Sequence, residues 1–159
     1  MKNALKKAMM TSISEVIATM FFMPLEFLEE ESFEYLISSS ENIACRIGFN
    51  GRFKGSFLLF IPENIIVSLT ENFVGEAKVK ITEDHLIGTI KEILNMISGS
   101  TFSNYDDQAV FNLDIPEIVD IKNISEASKK PDYEEIFIPI ETVGGKLGVK
   151  LEFDQTILC

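Results

Sequence analysis

The stretch from Asn42 to Ile61 constrains the fold more than any other. Ile43, Cys45, Ile47 and Phe49 alternate with small or polar residues, the dipeptide Asn50-Gly51 follows, and Phe53 to Ile61 forms a second strand-like segment. A period of two marks a half-buried strand, and Asn-Gly suits the two positive-φ positions of a type I′ turn. The segment therefore predicts a β-hairpin. Pro62 fits the first turn of a following helix over about residues 62 to 74, which Gly75 closes.

Two more helices can be read from apolar spacing. Residues 3 to 22 place Leu5, Met9, Ile13, Val16, Ile17 and Met20 on one stripe, ending before Pro24 because the residue ahead of proline is pushed out of the helical region. A third helix opens at Thr82, a capping residue followed by the acids Glu83 and Asp84, and runs through Leu86, Ile90, Ile93, Leu94 and Ile97 to about Gly99 or a little beyond. Strand-like stretches follow at Ala109 to Ile115, Glu117 to Ile121, Glu135 to Ile140 and Lys146 to Phe153, with Gly144-Gly145 joining the last two as a hairpin. Leu25 to Ser40 carries an acidic run and takes no assigned state, and Asn123 to Pro131 reads as a loop. Helices interspersed with hairpins indicate an α+β fold, one domain over residues 1–159 with long helices on a largely antiparallel sheet. One long helix precedes each group of strands, a coarse duplication into two halves.

Charge narrows the function. Fourteen basic against twenty-five acidic residues give −11, a surface that repels a phosphate backbone, so nucleic acid and anionic membranes are not expected partners. Cys45 and Cys159 match no metal spacing, which fits a reduced, cytoplasmic protein. The apolar N-terminal stretch is broken by Glu15 and hydroxyl residues, so neither a signal peptide nor membrane insertion is expected.

The sequence holds no glycine-rich phosphate loop, no GxSxG, no HExxH and no pair of CxxC motifs. The single histidine, His85, falls in the first turn of the third helix and is expected to face solvent. On that helix Gly88, Glu92, Asn95 and Gly99 share the face opposite the apolar stripe. The two interior glycines leave bare backbone and room for a partner. Glu-x-x-Asn alone arises by chance in about one chain of this length in three, so the spacing by itself marks only a solvated helix face.

The surrounding residues carry more. The hairpin with Gly51 and Gly55 ending in Pro62, the run Phe73-Val74-Gly75-Glu76 and then Glu92-x-x-Asn95-Met-Ile-x-Gly99 resemble the CheX-like branch of the CheC/CheX/FliY family of chemotaxis phosphatases. That family's signature is Asp or Ser, three residues, Glu, two residues, Asn, and a proline some twenty-odd residues on. Glu92, Asn95 and Pro116 fit it, and Gly88 departs at the Asp/Ser position. The first helix resembles a degenerate copy, with Thr11, Glu15 and Ala18 where the amide would stand, so the chain is similar to members with one working motif.

The resemblance implies dephosphorylation of the aspartyl phosphate of a CheY-type response regulator. Asn95 would hold the attacking water, Glu92 would pair with the regulator's lysine, and Gly88 and Gly99 would lie against the partner. The chain would need no cofactor of its own, since the regulator supplies Mg²⁺. The resemblance also implies a homodimer paired through the sheets. Residues Leu147, Val149, Leu151 and Phe153 form one apolar face that needs a covering layer, from a second copy or from the chain's own helices. Gly88 and the lost first motif favour a different class, a non-catalytic receiver-binding or assembly module, and a purely structural acidic domain is a third reading.

Overall fold

The structure, a computed structural model, describes residues 1–29, 42–74, 80–121 and 133–154. Gly75, the loop Asn123 to Pro131, most of the acidic segment before Asn42 and Cys159 lie outside the described residues. In chain order the elements are α1 (Lys2–Ile13) with a π-helical continuation Ser14–Met20, β1 (Leu25–Phe27), β2 (Asn42–Asn50), β3 (Lys54–Pro62) and α2 (Glu63–Val74). Then come α3 (Glu83–Tyr105), β4 (Asn112–Leu113), β5 (Glu117–Val119), β6 (Tyr133–Thr142) and β7 (Gly145–Asp154).

The strands form a seven-stranded antiparallel sheet in the order β1-β6-β7-β3-β2-β4, with β5 also on β2. Hairpins β2–β3 and β6–β7 meet at the β3/β7 boundary, and α1 and α3 pack on one face. Each half is thus a helix, a short strand or strand pair, and a hairpin, and the short strands cross over. β1 of the first half borders β6, while β4 and β5 of the second border β2.

β3 is buried on both faces from Ser56 to Ile61, which explains its five consecutive apolar residues. Its helix-facing side joins Phe57, Leu59 and Ile61 to Cys45, Ile47 and Phe49 of β2 and to Leu147, Val149, Leu151 and Phe153 of β7. The apolar face of β7 is therefore covered by the chain's own α1, α2 and α3, and that face supplies no separate argument for a second copy. On the opposite face Ala44, Leu58 and Phe60 form a smaller cluster, and Lys150, 2% exposed, is held by Glu152 at 2.8 Å and Glu135 at 3.2 Å.

The Asn50–Gly51 turn differs from the type I′ expectation. Asn50 stays in β2, pairs with Asn112 of β4 and does not take a positive φ, so the loop is Gly51 to Phe53. Two contacts widen it. Phe53 is buried among Phe49, Phe102, Phe111 and Phe153, and Arg52 reaches Asp106 at the end of α3 at 3.0 Å. A Cβ on Gly51 would lie 2.7 Å from the Val110 carbonyl. The expected strand Ala109 to Ile115 shrinks to Asn112–Leu113, because β2 ends at Asn50 and leaves Ala109 and Val110 no partner.

The first helix also departs from regularity. After Ile13 it widens into π geometry, with the Phe21 N–H donating to the Val16 carbonyl five residues back at 3.1 Å. Met23 N–H then closes onto the Ile17 carbonyl at 3.0 Å around Phe22, which takes φ 56°. This is a Schellman-type ending with phenylalanine where glycine is usual, at a cost of about 1–2 kcal/mol.

Candidate functional site

The site is built on α3, a helix of 23 residues. Its start is locked by a capping box: Thr82 Oγ1 accepts from the His85 N–H at 3.3 Å, and the Thr82 N–H donates to His85 Nδ1 at 3.2 Å. His85 is solvent-exposed as expected, but it does the capping-box work that sequence reading assigns to Glu or Gln. The Thr-x-x-His spacing was the available signal. The buried stripe Ile90, Ile93, Leu94 and Ile97 fixes the helix against the sheet. Buried Ser98 and Thr101 turn their hydroxyls back to carbonyls four residues earlier, both at 2.7 Å, so no donor is stranded in the interface.

Gly88, Glu92 and Asn95 are exposed on the outward stripe, and Gly99 is half-buried at its C-terminal end. A Cβ on Gly88 would meet nothing within 4 Å, whereas one on Gly99 would touch Leu113 Cδ1 at 3.8 Å. Among the described residues neither Glu92 nor Asn95 has a hydrogen bond or ion pair, so both side chains are available to a partner. The pair sits one helical turn apart on a stiff support, free in its polar atoms and flanked by bare backbone at Gly88.

Two walls flank the stripe. On one side lies α1, antiparallel to α3, with Asn104 Nδ2 donating to Ser12 Oγ at 3.0 Å and Ser100 Oγ donating to Glu15 Oε2 at 3.1 Å. On the other, β4 and β5 run along α3, Leu113 beside Gly99 and Ile118 in an apolar groove of about 590 Å³ with Leu86, Ile87 and Ile90. Between them Asp114, Ile115 and Pro116 stand opposite only Ile47 and Gly48 of β2, a bulge whose proline has no N–H to waste. Asp114 N–H still reaches the Gly48 carbonyl at 2.9 Å, and the lack of a Cβ on Gly48 makes room for the Asp114 carboxylate.

Thr11, Glu15 and Ala18, which resemble a degenerate copy of the motif, lie on α1 and its π-helical continuation. There Glu15 is engaged by Ser100, Ala18 offers only a methyl group, and the helix has already widened into π geometry. Elsewhere, Cys45 of β2 is buried in the core on the helix-facing side of the sheet, and burial pushes its thiol up to about 11 against a partial pull from Lys91, which leaves it protonated and inert at neutral pH. Among the described residues no group of three or more His, Cys, Asp or Glu could hold a metal ion, and no helix is long and apolar enough to cross a membrane.

Comparison with known proteins bears on this geometry. The family described as chemotaxis phosphatase CheX matches residues 43–141. No curated protein matches the sequence. Among solved structures, the chemotaxis protein CheX from Vibrio vulnificus superposes with a TM-score of 0.71 at 17% identity, covering 93% of this chain and 95% of that one. A chemotactic CheC-like protein from Shewanella oneidensis gives 0.72 at 20% identity over 97% and 100%. The CheX chain in a CheX–CheY–BeF₃–Mg²⁺ complex from Borrelia burgdorferi gives 0.68 at 14% identity over 94% and 97%.

Proposed function

The chain belongs to the CheX family of chemotaxis phosphatases, and from that premise we propose that it removes the phosphoryl group from the aspartyl phosphate of a CheY-type response regulator. The observation that carries the reading is the free, exposed pair Glu92 and Asn95 on one face of a rigid helix, with open space at Gly88. A relative of the same fold has been captured with CheY, BeF₃ and Mg²⁺, which supports a receiver domain as the partner.

An acyl phosphate is already reactive, so the catalyst has little covalent work to do and positioning dominates. The Asn95 carboxamide can accept a hydrogen bond from a water and donate one to a phosphoryl oxygen. That places the water oxygen in line with phosphorus. As the new P–O bond forms, the bond to the aspartate oxygen breaks, leaving inorganic phosphate and a free carboxylate. Mg²⁺ and a lysine on the regulator would balance the charge of the phosphoryl oxygens. Glu92, one turn away, would pair with that lysine and fix α3 over the site. Gly88 and Gly99 would lie against the partner, Gly88 admitting its backbone closely and Gly99 seated beside Leu113. The reaction belongs in the cytoplasm, where response regulators work.

The test is the decay of a phosphorylated CheY-type receiver with and without the protein. Acceleration supports the phosphatase. Binding without acceleration supports the receiver-binding module, the reading that Gly88 and the lost first motif favour. Glu92→Lys sets like charges together and should weaken association by more than the roughly 0–1 kcal/mol of an exposed ion pair, which titration calorimetry reads directly. Unchanged affinity would remove the lysine-pairing role. Family membership also supports a homodimer, which would present two Glu92–Asn95 faces on one particle. Light scattering at micromolar concentration should then give a mass near twice 17.9 kDa, and a fully active monomer would make pairing dispensable.

A further inference from the structure

We infer that Phe22 is the apolar anchor on which the receiver domain seats itself beside Glu92 and Asn95, an inference that rests on the phosphatase reading. Ser12 lies opposite Asn104 and Glu15 opposite Ser100. Continuing that antiparallel register brings the end of the π-helical continuation at Met20 alongside the turn of α3 that carries Glu92 and Asn95, and Phe22 follows two residues later. Packed helix axes lie about 8–10 Å apart, and a specific interface covers about 800 Å² per partner, a disc of about 16 Å radius. A receiver placed with its acyl phosphate over Asn95 therefore covers Phe22 as well.

The fold holds Phe22 in place without burying it. Phe21 before it is buried, stacks on Phe73 with ring centroids 5.2 Å apart, and has its carbonyl held by Asn72 Nδ2 at 2.9 Å. Met23 after it is tied back to Ile17. Phe22 itself sits at φ 56° with 71% of its surface exposed, so the protein keeps an aromatic ring in solvent at a position where glycine would serve the backbone better. Met20 and Phe73 are also exposed, 51% and 62%, and Phe73 stacks on the Phe21 that precedes Phe22. An exposed aromatic ring beside polar groups that a partner must reach is the arrangement of an interface hot spot.

The experiment pairs calorimetric titration of a beryllofluoride- and Mg²⁺-loaded CheY-type receiver with thermal unfolding of the full chain. Phe22→Gly should weaken receiver binding by about 10-fold or more, raising KM and leaving kcat at saturating receiver unchanged, with no loss of melting temperature. Phe22→Tyr keeps the ring and should restore wild-type affinity. Wild-type affinity in Phe22→Gly overturns the anchor while leaving the phosphatase reading intact. A Phe22→Gly variant that instead turns a dimer into monomers, with receiver affinity unchanged, shows the patch to be a self-association surface and also overturns it. A wild-type protein that neither binds nor dephosphorylates the receiver overturns the phosphatase reading, and the anchor with it.

Discussion

Asn95→Ala should lower receiver dephosphorylation by about 100-fold, the usual scale for loss of one preorganised polar group at a reacting centre. The effect is expected in kcat, because the amide orients a water that matters only as the P–O bond forms, while docking rests on the surrounding surface. Folding should not suffer. Asn95 is exposed and makes no hydrogen bond among the described residues, and alanine is the better helix former by a few tenths of a kcal/mol, so the melting temperature should hold or rise slightly. Single-turnover decay of phosphorylated receiver, read beside a thermal melt, separates the two effects. Wild-type decay in the variant would remove Asn95 from the chemistry altogether.

Phe49→Ala should be the most destabilising substitution considered, costing about 3–5 kcal/mol of a total that for a domain this size is about 5–15 kcal/mol. Its ring lies 4.8 Å from Phe102, 5.6 Å from Phe57, 5.7 Å from Phe53 and 6.1 Å from Phe111, so truncation opens a cavity where β2, β3, α3 and the approach to β4 all meet. Relaxation into that cavity is limited. Phe102 and Phe111 are stacked at 3.9 Å and only 6° apart, and Phe53 is wedged against Phe153, so no neighbour can move in without giving up another contact. The cost should appear in urea denaturation as a lower midpoint at unchanged slope, and a loss under 1 kcal/mol would mean that the cluster collapses far more readily than its geometry allows. Because Phe102 belongs to the same helix as Asn95, turnover should fall at temperatures where the variant begins to unfold and hold below them.

How much of this was legible beforehand depended on the range of the interaction involved. Periodicity is local, so Ile90, Ile93, Leu94 and Ile97 placed Glu92 and Asn95 on the outward face of a helix before any contact was known, and Thr82 marked where that helix begins. The alternation from Ile43 to Phe49 identified the β2–β3 hairpin for the same reason, and the spacing of helices and hairpins showed the α+β class and its two halves. The turn at Asn50 could not be read this way. Its conformation depends on Asn112, 62 residues away, pairing with it in the sheet, and on Phe53 finding the aromatic core. The short β4 could not be read either, because a strand lasts only as long as its neighbour and β2 stops at Asn50. Glu15 and Glu92 look alike in sequence, and it is the packing of α1 against α3 that gives Glu15 a hydroxyl partner in Ser100, while Glu92 has none among the described residues. Phe22 likewise carries no signal in its own vicinity, since its left-handed backbone follows from a π-helical turn pinned by Asn72 and Phe73 on another helix. Side-chain spacing along one element therefore determined which groups could face a partner, and contacts between elements distant in the chain decided which of them are free to do so.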